Sequence, residues 1–233
     1  MATNENGNWV GKPLRRKEEA RLVRGRGKFV DDIKPDRCLH LRLVRSPFAH
    51  ARIDRVDVSA AEALPGVVCT LTGEEVAKLC PPFFPIGPGP CTKIVDLPIA
   101  HQKVRYQGEP VVAIAAESRA VAEDAAELVE VDYTPLEPVI DAEQALKNAS
   151  LVHEAAGTNA IWNGVWEFGE VEKAFREAAH VVEIDRLHFH RFSSTPLENN
   201  AIIAEWDAKD DVISYFCNNS FPTIGLQLLA PAL

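Results

Sequence analysis

No stretch of this 233-residue chain approaches the run of about 20 apolar residues that a membrane span needs. The first residues, MATNENGNWV, lack the basic-then-apolar pattern of a secretory signal. The expectation is therefore a cytoplasmic protein. Cysteine is sparse and scattered: Cys38, Cys69, Cys80, Cys91 and Cys217 form no CxxC and no close pair, which argues for reduced thiols and against an in-chain zinc or iron–sulfur ligand set. There is no P-loop, GxGxxG, GxSxG elbow or HExxH, so the common phosphate-cradling, nucleophilic and zinc-hydrolase signatures are missing. Basic residues do not predominate: 25 against 34 acidic ones give a formal charge of −9, which disfavours a polyanion partner such as nucleic acid.

What is present is a globular composition, 46% hydrophobic and 25% charged, which excludes disorder, collagen and coiled coil and allows one large or two modest domains. Residues up to about Val30 are polar and basic (KPLRRKEEARLVRGRGKF) and read either as an extended arm packed on the domain or as a docking surface for an acidic partner. Alternation from Leu39 and again near Ala51 to Val58 predicts two strands. Ser59 and Glu62, then Thr72 and Glu75, have capping-box spacing; between them a helix must stop at Leu64-Pro65-Gly66 and Val67 to Leu71 reads as a strand. Six of the 16 prolines fall between Cys80 and Pro98, beside Phe83 and Phe84, in a loop that either covers a surface or belongs to an interface.

The apolar run Val111 to Ala116 predicts a strand buried on both faces. Ser118 caps a helix with Val121, Ala125, Leu128 and Val129 on its apolar side, and Val129, Val131 and Tyr133 alternate as the next strand. A short helix from Asp141 to Leu146 precedes a connector over 148–168 in which Trp162 and Trp166 are expected to anchor. Val171, Ala174, Phe175 and Ala178 mark one helix face, and a strand follows with a bulge near Asp185 or Arg186. A hairpin joins Ala201–Trp206 to Val212–Phe216 through a turn at Asp207 to Asp211, and Pro222 opens a last helix whose apolar face is Ile224, Leu226, Leu228 and Leu229. The chain stops inside that apolar segment, PTIGLQLLAPAL.

Few residues suggest chemistry. His188 and His190 would share one face of a strand, a spacing that can hold a metal, but no third ligand lies at a compelling offset, so packing or hydrogen bonding is the favoured role. Glu198, in SSTPLENN, is read as an anchor for backbone amides in preference to a proton-transfer group. No catalytic residue is assigned, and no metal site.

Five blocks in order carry a resemblance: GKPLRRKEEARLVRGRGKFVDDI; LRLVRSPFAHARIDRVDVSAAEALPGVVCTLTGEEV; KVRYQGEPVVAIAAESRAVAEDAAELVEVDYTPLEPVIDAEQAL; GEVEKAFREAAHVVE; and HRFSSTPLENNAIIAEWD. Together they resemble the molybdenum-binding large subunits of the xanthine dehydrogenase, aldehyde oxidase and carbon monoxide dehydrogenase family. The resemblance implies an α+β chain: an N-terminal arm over 1–19, an α/β hammerhead domain over 20–145, and over 146–233 the truncated start of a molybdopterin-binding region. It implies an oxidoreductase using a molybdopterin cofactor to hydroxylate an aromatic heterocycle, purine or aldehyde with oxygen from water, or to oxidise carbon monoxide. FAD and [2Fe-2S] clusters would sit on partner chains. Because the family's pterin-gripping segments and catalytic glutamate would lie past Leu233, the expectation is that this chain alone binds no cofactor. It would need the remaining molybdopterin-binding polypeptide, an iron–sulfur subunit and an FAD subunit; the alternative is a non-catalytic fragment or pseudo-subunit that folds but binds nothing. Arg15, Arg16, Arg21, Arg24 and Arg26 are the expected contact with the iron–sulfur subunit. The family's molybdenum-proximal Gln falls at Ser220, with Asn219 as its substitute through a one-residue shift, and Glu198 lies in the family's PLE motif, part of the architecture near the site.

Overall fold

A computed structural model describes residues 10–83, 87–94, 96–190 and 193–232. Phe84, expected in the proline-rich loop, and the final Leu233 lie outside the described residues, as do Arg191 and Phe192 of the HRFSST block. In chain order the elements are α1 (Glu19–Leu22), β1 (His40–Arg45), β2 (Ala51–Asp57), α2 (Ser59–Glu62), β3 (Val67–Thr72), α3 (Gly73–Leu79), β4 (Lys103–Val104) and β5 (Pro110–Ala116). They continue with α4 (Arg119–Glu127), β6 (Glu130–Pro135), α5 (Ala142–Ala145), α6 (Val171–Glu177), β7 (Ile202–Asp207), β8 (Val212–Cys217) and α7 (Pro222–Leu229). Two compact units emerge: Met1–Pro35 with Ser193–Ser220, and Asp36–Phe192 with Phe221–Leu233.

The larger unit is built on two antiparallel three-stranded sheets, β1-β5-β3 and β4-β2-β6. The apolar run of β5 takes the central place in the first sheet, where Ile114 faces Arg42 on one side and Thr70 on the other. Val111, Val112 and Ile114 are fully buried, with Ala51, Ala61, Val104 and Ala125 completing the core around them. Ala113 and Ala115 are only half-buried, so β5 is drier on one face than the other. Helix α4 lies against β1 and β5. It buries Ala122 and Ala125 and leaves Leu128 exposed, so the packed stripe is rotated from the predicted one. Alanines let a helix lie close to a sheet, which outweighs the gain from turning Leu128 inward.

Local chemistry explains where helices start. At α3 the predicted box forms: Thr72 N–H donates to Glu75 Oε2 at 2.8 Å and Glu75 N–H donates to Thr72 Oγ1 at 3.4 Å. At α2 it does not. Ser59 donates through N–H (2.9 Å) and Oγ (2.6 Å) to Asp57 Oδ1, while Glu62 Oε1 accepts from Thr70 Oγ1 at 2.7 Å, so both halves of the box are engaged elsewhere. Ser118 Oγ caps α4 by accepting from Val121 N–H at 3.2 Å, and Asp141 Oδ1 caps α5 by accepting from Gln144 N–H at 2.8 Å.

Three expectations fail after residue 160. Residues 181–190 form no strand: among the described residues none offers them a ladder, and Val182 and Phe189 are 86% and 77% exposed. Extended backbone becomes a strand only when a neighbour takes its hydrogen bonds. The bulge expected near Asp185 and Arg186 disappears with it; Arg186 Nη2 instead donates to Glu143 Oε1 at 2.5 Å. Trp162 and Trp166 are exposed, so neither is buried as an anchor would be, and α6 forms but leaves Val171 and Phe175 largely in solvent.

The smaller unit holds the β7–β8 hairpin, paired from Ile202↔Cys217 to Asp207↔Val212. Its turn is sharpened by Asp211 at φ 52° and by Asp207 Oδ1, which accepts from Lys209 N–H at 2.9 Å. The arm in this unit is exposed from Val10 to Phe29, Gly27 being half-buried, so its basic side chains are solvated and not packed.

Candidate functional site

The loop Asn218–Ser220 leads out of β8. Asn218 closes the base of the hairpin: its Nδ2 donates to Asn199 O at 2.7 Å and its Oδ1 accepts from Ala201 N–H at 3.3 Å. Asn219 and Ser220 then stand exposed ahead of α7, where Pro222 occupies the first turn as predicted. Of the apolar face of α7, Ile224 and Leu226 are exposed and Leu228 and Leu229 half-buried.

Glu198 is tied to the arm. Its Oε2 accepts from Val30 N–H at 3.1 Å, and Val30 is the buried residue with which the arm ends its exposed run. That geometry is the amide anchoring expected from sequence. The rings of His188 and His190 meet edge to face with centroids 5.0 Å apart, so they do share a side, yet among the described residues no group of three His, Cys, Asp or Glu side chains converges on a metal-sized point. All five cysteines are free thiols.

A polar cluster in the larger unit was not foreseen. Lys103 on β4 is buried, and its Nζ donates to Glu154 Oε1 at 2.5 Å and to Val152 O at 3.1 Å. Two residues on, Arg105 N–H donates to the buried carboxylate of Glu109. A cavity of about 230 Å³ opens beside them, lined by Lys93, Asp96, His101, Arg105, Glu109 and His153. Burial pushes the Glu109 carboxyl above its ordinary value, against the Arg105 N–H bond that pulls it down. Burial also pushes His153 down, helped by the Arg105 and Lys103 charges, whereas the Lys103 hydrogen bond holds Glu154 below the usual carboxylate range. The segment KVRYQGEP carries the signal for half of this cluster; the other half, His153 and Glu154, arrives some 50 residues later with no local pattern linking the two. Among the described residues the cluster contains no nucleophile held by a base; Lys103 pairs with Glu154, and Glu109 accepts from the Arg105 backbone.

Among the described residues no helix is long and apolar enough to cross a membrane. Comparison with known families places residues 24–137 in the aldehyde oxidase and xanthine dehydrogenase a/b hammerhead domain and residues 152–233 in the molybdopterin cofactor-binding domain. The nicotine 6-hydroxylase large subunit of Paenarthrobacter nicotinovorans is 36% identical over 216 residues, which is 92% of this chain and 26% of that protein. The carbon monoxide dehydrogenase large chain of Afipia carboxidovorans is 36% identical over 211 residues, 85% of this chain and 26% of that one. Among solved structures, quinoline 2-oxidoreductase from Pseudomonas putida 86 superposes with a TM-score of 0.77 at 30% identity, covering 93% of this chain and 28% of its own. The chain thus spans about a quarter of the length of these relatives. With two domain types matched in succession and the same fold in a relative of known structure, the chain belongs to the family of molybdenum-binding large subunits that includes xanthine dehydrogenase, aldehyde oxidase and carbon monoxide dehydrogenase.

Proposed function

We propose that the chain is the N-terminal part of a molybdenum hydroxylase large subunit and works only with the remaining large-subunit sequence. The observation that carries this reading is the succession of hammerhead and cofactor-binding matches in a chain a quarter as long as its relatives. The bound cofactor would supply two-electron oxidation with oxygen from water, on an aromatic heterocycle, a purine or an aldehyde, or would oxidise carbon monoxide. Electrons would leave through [2Fe-2S] and FAD subunits in a cytoplasmic complex; the naming of one relative as a subunit of a dehydrogenase complex supports partners of this kind. The domain limits fit this reading as an arm over 1–19, a hammerhead domain over 20–145 and the start of the cofactor-binding region over 146–233. The five arginines from Arg15 to Arg26 are free to meet an iron–sulfur subunit.

Ser220 and Asn219 are the residues of this chain proposed to come near molybdenum. As they stand, an exposed two-residue loop is no cradle for a pterin, and neither side chain lines the cavity described above. No chemical step is assigned to them. The test is co-expression with the rest of the large subunit and the redox subunits, followed by substrate-dependent dye reduction. Activity in that complex, absent from the chain alone, supports the reading; a complex that assembles and carries the cofactor but turns over nothing favours a non-catalytic pseudo-subunit. In an active complex Ser220→Gln is expected to change turnover more than assembly, and an unchanged rate would place the side chain away from the metal.

A further inference from the structure

The first sheet has an apolar face open to solvent. Residues directly opposite one another on neighbouring strands point to the same side. The register therefore sets Leu41, Ala115 and Cys69 in one row across β1, β5 and β3, and Leu43, Ala113 and Leu71 in the next. Helix α4 lies against the opposite side, where its Ala125 joins Val112 and Ile114 in the core. On the outward side Leu41 is 63% exposed, Leu71 36% exposed and Cys69 exposed, while Leu43, Ala113 and Ala115 are half-buried. An antiparallel sheet with one wet face ordinarily carries polar side chains there. These two rows hold no charged residue, amide or hydroxyl. All six residues fall within the hammerhead match, so the face belongs to that domain and not to the later exposed stretch.

We propose that the chain self-associates through this face as a two-fold dimer, sheet against sheet. The relief of the face carries the choice of a second copy. Leu41 and Leu43 form a ridge along β1, and Ala113 and Ala115 form a trough beside it along β5. A two-fold axis parallel to the strands and midway between β1 and β5 lays each ridge in the other copy's trough, with Leu41 over the second copy's Ala115 and Leu43 over its Ala113. Large residues over small ones are how two sheets interdigitate at a spacing of about 10 Å. Reciprocal contacts of this kind are what an isologous pair requires. A charge of −9 makes two copies repel, and an uncharged face is where like charges do not meet. Two rows over three strands are small beside the roughly 1,200 Å² at which stable interfaces begin, so the dimer is weak, with a Kd on the order of 10 µM. The contact is independent of how the large subunit is completed.

Analytical ultracentrifugation of the full chain over a concentration series tests this. The wild type is expected to pass from monomer to dimer. Leu41→Glu and Ala115→Lys each bury a charge in the apolar contact and are each expected to weaken association by at least about tenfold. Mixed in equal amounts, the two variants are expected to recover association, because one of the two reciprocal contacts then pairs a carboxylate with an ammonium and the other is native. Val182→Glu, on the exposed stretch after α6, is expected to associate as the wild type does. Leu41 is largely exposed, so its variant reports even where Ala115→Lys fails to fold. A wild type that stays monomeric to about 100 µM, tenfold above the expected Kd, overturns the proposal and leaves the face to a different polypeptide. Association unchanged in Leu41→Glu, or lost in Val182→Glu, overturns it too, as does a mixture of the two folded face variants that stays monomeric.

Discussion

At Gly73 a methyl group has nowhere to go. A Cβ built there would lie 1.9 Å from the Ala100 carbonyl oxygen, and that contact is with backbone, which cannot swing aside as a side chain can. Gly73→Ala is expected to cost about 3 kcal/mol in urea unfolding, in the upper range for overpacking; a loss under about 1 kcal/mol would mean that the 97–102 segment moves freely. Glu109 makes a second prediction. Its carboxyl is raised by burial, so the folded chain holds that proton to higher pH than the unfolded chain does. The stability it contributes is complete below the ordinary glutamate value of about 4.3 and is lost as pH rises through the raised one. Wild type should therefore lose melting temperature relative to Glu109→Gln as pH rises from about 4 toward 7; parallel profiles would contradict the assignment. Single residues were legible in sequence where their partners were close along the chain. Thr72 reads Glu75 three residues away, but Ser59 is captured by Asp57 and Glu62 by Thr70, and spacing alone does not rank such competitors.

At the scale of elements, β5 and α4 carry the larger unit. Ile114 is fully buried at the centre of the first sheet, so Ile114→Ala should cost about 3 kcal/mol. Ser118→Ala removes only the cap of α4 and should cost about 1 kcal/mol. Equal losses for the two would mean that α4 is held by its cap more than by the sheet. The elements around this core were readable because their signals are local: an apolar run, a cap, an alternation that ends in a turn. The stretch 181–190 has the apolar alternation too, with Val182, Ile184, Leu187 and Phe189, but a strand is completed by its neighbour, and no described strand pairs with it. For the same reason Trp162 and Trp166 read as anchors and yet lie in solvent.

Over the whole molecule, the contrast is between a dry hammerhead core and a later stretch whose apolar side chains face outward. Leu197 is 93% exposed and Val182 86%. In the proposed function such side chains would meet the rest of the large subunit. The family was legible because its blocks run in order along the chain. The Lys103, Arg105 and Glu109 cluster was not, because His153 and Glu154 reach it only through the fold. The most direct measurement is the molybdenum and pterin content of the purified 233-residue chain, alone and after co-expression with the remaining large-subunit sequence. The account predicts no stoichiometric cofactor on the isolated chain and a full complement in the assembled subunit; cofactor held stoichiometrically by the isolated chain, or absent from the assembled one, would contradict it.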